Sequence, residues 1–153
     1  MKKLVGLTMV LGLVLLTGVA FAADSNTLTV SASVTGTCKF VSGTSSLNFG
    51  ALDPSVGNNV NGSTNVNFWC TKGVTLDSIT AGNGAHWSGS SRQMAEAGGD
   101  LIPYSLTLTK DANTNQGPAS PRTLTINGTV LGTDYTGKTA GNYTDTVTLS
   151  ITP

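Results

Sequence analysis

Apolar and polar residues alternate with period two in six stretches of this chain, and no other feature constrains its fold as strongly. Alternation puts successive side chains on opposite faces of an extended backbone, so each stretch reads as a half-buried β-strand. In the first, Leu28, Val30, Ala32 and Val34 share one face, with Thr27, Thr29, Ser31 and Ser33 on the other. Val66, Phe68 and Cys70 alternate in the same way with Asn65, Asn67 and Thr71. Tyr104, Leu106 and Leu108 form a third set, and Leu124 with Ile126 a fourth that Val130 extends. The last and most regular sets Tyr143, Val147, Leu149 and Ile151 against Thr144, Thr146, Thr148 and Ser150. A looser pair, Leu47 and Phe49, ends at Gly50.

Turn-forming residues fill the gaps at 53–62, 82–89, 98–100 and 113–121. No window of ten residues carries a helical apolar stripe, and there is no internal repeat, heptad or linker. Short strands punctuated by Gly, Asn and Pro predict one all-β domain, an antiparallel sandwich. Thr, Ser, Asn and Gly make up about half of the chain after residue 22. Such a composition suits strands and turns. It also suits disorder, against which the recurrent alternation argues.

The first 22 residues read as a secretory signal peptide: Lys2 and Lys3, an apolar run from Leu4 to Val19, and the small-x-small site Ala20-Phe21-Ala22. Cleavage there leaves 131 of the 153 residues, enough for one core. No Cys at the site offers a lipid anchor, and no later segment is apolar enough to span a bilayer. The mature chain has six Lys and Arg against eight Asp and Glu, a net charge of about −2. That argues against a nucleic-acid or anionic-membrane partner, which would need a basic patch.

Cys38 and Cys70 are the only cysteines, and export sends them to an oxidising compartment, so they read as a disulfide. A metal site is disfavoured, because His86 is the only histidine and no second cysteine stands at ligand spacing. His86 lies in the Gly-rich run 82–89 and reads as a solvated loop residue rather than a catalytic base. Asp53, Asp77, Glu96, Asp100, Asp111, Asp134 and Asp145 are scattered, and their spacing makes no carboxylate pair. No phosphate loop, nucleophile elbow or dinucleotide fingerprint is present. The expectation is a protein that is not an enzyme and has no cofactor. Trp87, and Trp69 off the inward phase of its strand, are each placed either to stack on a sugar or to cover an edge of the sandwich. Three triplets, at Asn61, Asn127 and Asn142, match the N-glycosylation pattern, as chance allows in so Asn-rich a chain.

The alternating strands at the two ends carry the functional reading. The segment Leu28 to Val34 suits insertion into an apolar groove, with main-chain bonds giving affinity and alternate side chains giving register. It suits equally the first strand of its own sheet. Val30-x-Ala32-x-Val34-x3-Cys38, Leu47-Asn48-Phe49-Gly50-x3-Pro54, Cys70-Thr71-x-Gly73, Ser91-Arg92-Gln93-Met94, Leu101-x2-Tyr104-x-Leu106 and Gly141-x-Tyr143-x-Asp145-Thr146-Val147 occur in that order. Together they resemble the spore coat protein U domain family, which includes the pilins of archaic, Csu-type chaperone–usher systems. The likeness covers nearly the whole mature chain. Leu-Asn-Phe-Gly and Gly-Asn-Tyr-Thr-Asp-Thr-Val are its most specific elements.

The resemblance implies an incomplete immunoglobulin-like sandwich that lacks its final strand and is completed by a donor strand. A periplasmic chaperone fills the groove first. At the outer-membrane usher, the N-terminal strand of the next subunit replaces it, so subunits join head to tail. It maps a disulfide onto Cys38 and Cys70, the donor onto Leu28, Val30, Ala32 and Val34, and the acceptor groove onto Tyr143, Val147, Leu149 and Ile151. The implied organisation is a signal peptide at 1–22, a donor extension at 23–37 and a pilin domain at 38–153. The implied role is a shaft or minor subunit of a cell-surface pilus supporting adhesion and biofilm formation. Two departures stand out: the chain ends Ser150-Ile151-Thr152-Pro153 without the family's aromatic residue, and only 15 residues precede Cys38 in the mature chain. The alternatives are a spore-coat or matrix protein of the same family working without an usher, and a secreted sugar-binding module using Trp87.

Overall fold

The computed structural model describes residues 22–75 and 78–153; the signal-peptide reading lies almost wholly outside them. Contacts divide the chain into two units, Met1–Ser33 and Val34–Pro153. In the first unit, residues 22–33 form no strand, helix or turn, and all of them are exposed. This corrects the first predicted strand: Leu28 and Val30 are each 83% exposed, and none of the described strands pairs with the segment. An alternating sequence makes a segment fit to pair. Pairing also needs a partner edge and an apolar surface, and the pattern alone specifies neither.

Among its described residues, the second unit holds seven strands and one four-residue helix. In chain order the strands are β1 (Cys38–Phe40), β2 (Val60–Cys70), β3 (Ser78–Ala81), β4 (Arg92–Ala95), β5 (Leu101–Lys110), β6 (Arg122–Val130) and β7 (Leu149–Thr152). α1 (Gly132–Tyr135) falls between β6 and β7. An antiparallel sheet runs β1-β2-β6-β5-β4, and β3 and β7 form a separate two-stranded ribbon. The β2–β6 register pairs Val66 with Leu124 and Thr64 with Ile126, so the inward phases predicted for both strands meet on one face. Val66, Phe68, Leu124 and Ile126 are buried there, and Ile79, Leu149 and Ile151 of the ribbon pack against them. Two layers closing on an apolar core make the all-β antiparallel sandwich the alternation implied, consistent with the immunoglobulin-like fold the resemblance implied.

Cys38 and Cys70 stand directly opposite each other on β1 and β2 and are joined in a disulfide. At the end of α1, Tyr135 is buried against Ile102 and Val130, and its hydroxyl donates to Asn58 O at 2.7 Å.

Two predicted strands depart from regular geometry. Leu47 and Phe49 turn inward but belong to no strand. In the last stretch, odd-numbered residues from 143 to 151 are half-buried and even-numbered ones exposed, yet only Leu149–Thr152 joins a ladder. Before it, the main chain bridges to β4 once, at Thr144 and Ala95.

Candidate functional site: an open groove in the sandwich

The two irregular segments flank a groove. Its floor is the inner face of the five-stranded sheet, with Thr64, Ile126, Leu106, Tyr104 and Met94. Residues 45–49 line one side, and Tyr143, Val147 and Leu149 the other. This part encloses about 470 Å³. A second cavity of about 650 Å³ shares Leu47, Phe49, Met94 and Tyr143 with it and extends toward Ile102 and Tyr135. Phe49 and Tyr104 meet edge to face where the two adjoin, ring centroids 6.2 Å apart.

The backbone on one flank is short of partners. Among the described residues, no main-chain hydrogen bond joins 45–49 to any strand. Buried or apolar-lined backbone is normally paired, so such an edge beside an apolar floor makes a slot suited to an extended peptide. Three of the four residues expected to form the acceptor wall, Tyr143, Val147 and Leu149, line this groove. The fourth, Ile151, packs instead on the Phe68 cluster and pairs with Ile79. Of the expected donor residues, Leu28, Val30, Ala32 and Val34 are all exposed.

Asp145 occupies an inward position on the same wall, between Tyr143 and Val147, with its side chain only 2% exposed. The Tyr104 hydroxyl donates to Asp145 Oδ2 at 2.6 Å, and the Ala85 N–H donates to Oδ1 at 2.8 Å. His86 Nδ1 lies 3.3 Å from Oδ1. Burial alone would push the Asp145 carboxyl up, but donors from Tyr104, Thr146, Ala85 and His86 outweigh it and hold the group below the ordinary carboxylate range. Burial, and then the bond to Asp145, pushes the Tyr104 hydroxyl up. The loop can wrap the carboxylate because Gly84 has a left-handed backbone, and any side chain there would strike Asp145.

His86 is an exposed loop residue, as its Gly-rich run implied, with its ring against Asp145. It helps tie that loop to the groove wall. Nearby, Arg92 donates to Gly82 O and Ala81 O at the end of β3, and its guanidinium lies 6.0 Å from the Trp87 ring centroid. Trp87 is 40% exposed against this cation. Trp69 stands opposite Lys39 on the outer phase of the sheet.

Three of the other carboxylates are engaged in local structure, and Asp77 lies outside the described residues. Asp53 accepts from the N–H and hydroxyl of Ser55, and Asp100 from those of Thr139. Asp111 accepts from Arg122 Nε at 3.0 Å. Among the described residues, no group of three or more His, Cys, Asp or Glu side chains is arranged to hold a metal ion.

No curated protein matches the chain. A family model does, over residues 24–150, a span that takes in the exposed N-terminal segment, both flanks of the groove and the disulfide. The chain belongs to the Spore Coat Protein U domain family.

Proposed function

We infer that this protein is a structural subunit of an archaic chaperone–usher pilus, polymerised by donor-strand exchange. The observation that carries the reading is a complementary pair within one chain. One member is an apolar groove with unpaired backbone on its flank; the other is an exposed, alternating segment paired with nothing. Family membership supports a structural, non-catalytic role of the pilin or spore-coat kind.

In this reading the segment from Leu28 to Val34 of one subunit enters the groove of the next. An unfilled groove exposes apolar surface and unpaired strand edges, both aggregation hazards, so a periplasmic chaperone holds it until the usher brings the next subunit. The donor and the acceptor are different surfaces, so the contact is head to tail and open-ended, and it builds a filament on the cell surface that serves adhesion and biofilm formation. The disulfide fits passage through an oxidising periplasm.

The test is an unheated SDS gel of the protein co-expressed with a chaperone and usher of the archaic type, run next to a form lacking residues 24–34. The expected result is a ladder of SDS-resistant multimers that disappears in the truncated form. A lone monomer band from both forms would overturn the reading and favour a coat or matrix protein that works without an usher.

A further inference from the structure

The outer face of the five-stranded sheet carries a regular grid of uncharged hydrogen-bonding side chains. The registers of β2, β6 and β5 align three full rows: Asn61–Thr129–Ser105, Ser63–Asn127–Thr107 and Asn65–Thr125–Thr109. A fourth row begins with Asn67 and Thr123. Every position is Asn, Ser or Thr. Strand spacing of about 4.8 Å and a two-residue repeat of about 6.8 Å make this a near-rectangular lattice.

The lattice is ordered by bonds across the strands. Thr129 Oγ1 donates to Asn61 Oδ1 at 2.7 Å, Ser63 Oγ to Asn127 Oδ1 at 2.8 Å, and Thr125 Oγ1 to Asn65 Oδ1 at 3.0 Å. Lys39 on β1 and Asp111 beyond β5 stand at its margin, and no charge lies within it.

We propose that this face is a self-association surface, through which fibres of this protein pack side by side, the grid of one against the grid of a second copy. The proposal rests on the fibre reading above. The groove opens on the inner face of the sheet, so donor-strand exchange leaves the outer grid uncovered and repeats it once per subunit. Hydroxyls and amides both donate and accept, which makes the grid complementary to itself in a two-fold, face-to-face contact. With no charge inside it, the grid meets its copy without like-charge repulsion and offers nothing to an ionic partner. Neutral glycans are favoured by aromatic platforms, and the only aromatic residue on this phase, Trp69, is at the margin. A weak contact repeated along two long fibres sums by multivalency into a stable bundle.

The test compares fibres of the full chain with fibres carrying Asn65→Lys and Thr107→Lys, both at exposed positions outside the core. Low-speed sedimentation and negative-stain microscopy report bundling, and the SDS-resistant ladder independently reports polymerisation. The expected result is an unchanged ladder, with a bundled fraction reduced by more than about tenfold at low salt. Bundling should return toward 1 M salt, where the screening length shrinks to about 3 Å. Equal bundling by both proteins would overturn the proposal while leaving the fibre reading intact. Wild-type fibres that stay single until a neutral polysaccharide such as dextran is added would overturn it in favour of a glycan site. Absence of the ladder from the wild type would remove the fibre reading, and this proposal with it.

Discussion

Gly62 and Gly128 face each other across the β2–β6 ladder, and the space their side chains would occupy is filled by Leu47 and Phe49. A Cβ on Gly128 would come within 2.7 Å of Phe49 Cζ, and one on Gly62 within 2.9 Å of Leu47 Cδ2 and 3.0 Å of the Asn48 carbonyl. Both glycines sit at inward positions of otherwise apolar strands, with no left-handed backbone to require them. Close approach is their reason for being there. They let the Leu-Asn-Phe-Gly segment lie on the sheet and form one flank of the groove.

Gly128→Val is therefore expected to destabilise the domain by about 1–3 kcal/mol, because Phe49 must be displaced from a filled site. Combining it with Phe49→Ala should cost less than the sum of the two single changes. A double-mutant cycle from urea unfolding measures this coupling, and strict additivity would mean that Phe49 does not rest on Gly128.

The disulfide joins residues 32 apart in sequence, directly opposite each other on β1 and β2. Closing a loop of that size restricts the unfolded chain by about 3–4 kcal/mol. Cys38→Ser with Cys70→Ser should lower the unfolding free energy by about that amount, and a reducing agent should do the same to the wild type but leave the double variant unaffected. A change well below 1 kcal/mol would show that the unfolded chain retains structure that already limits this loop.

Asp145 makes a pH-dependent contribution whose sign follows from its depressed carboxyl. A group held lower in the folded than in the unfolded state stabilises the fold fully above its unfolded value. That contribution fades as pH falls through the folded value. Asp145→Asn should thus lower Tm near neutrality, where bonds to a charged acceptor count for about 1.5–3 kcal/mol. The gap between variant and wild type should narrow below about pH 4, where the reference carboxyl protonates. Thermal melts from pH 2 to 7 check this, and a gap constant with pH would mean that the carboxylate charge contributes nothing.

Periodicity specifies which residues share a phase. The alternations at 66–70, 104–108 and 124–130 were legible because each segment finds a partner on both sides or lies against the core. Leu28 to Val34 carries an equally clear alternation and forms no strand, since a pattern specifies which face is apolar but not what pairs with the edge. The Asp145 cluster was missed because Tyr104 and His86 lie 41 and 59 residues away, and periodicity says nothing about which loops meet.

A usable signal was nonetheless present. Asp145 interrupts the inward phase Tyr143, Val147, Leu149, and Arg122 opens the inward phase Leu124, Ile126. A charge at an inward position must find partners. Arg122 does so with Asp111, the Asn115 amide oxygen and the Phe68 ring, 5.1 Å away. The triplets at Asn61 and Asn127 likewise have a structural cause: Asn and Ser or Thr face outward to the grid, and the intervening Gly faces inward beneath Leu47 and Phe49.

The head-to-tail reading makes a prediction that a symmetric contact cannot satisfy. Leu28→Lys damages the donor and leaves the groove intact; Val147→Lys puts a charge into the groove and leaves the donor intact. Each variant alone is expected to remain monomeric, because burying an unpaired lysine in an apolar slot costs more than the strand contact returns. Refolded together, the Leu28→Lys subunit still has a groove and the Val147→Lys subunit still has a donor. One productive contact then forms. The product should be an SDS-resistant dimer containing one copy of each variant, with no higher species, because the ends of that dimer are a damaged donor and a damaged groove. A ladder beyond the dimer would show that a second surface supports polymerisation, and monomers alone would show that the segment and the groove do not recognise each other.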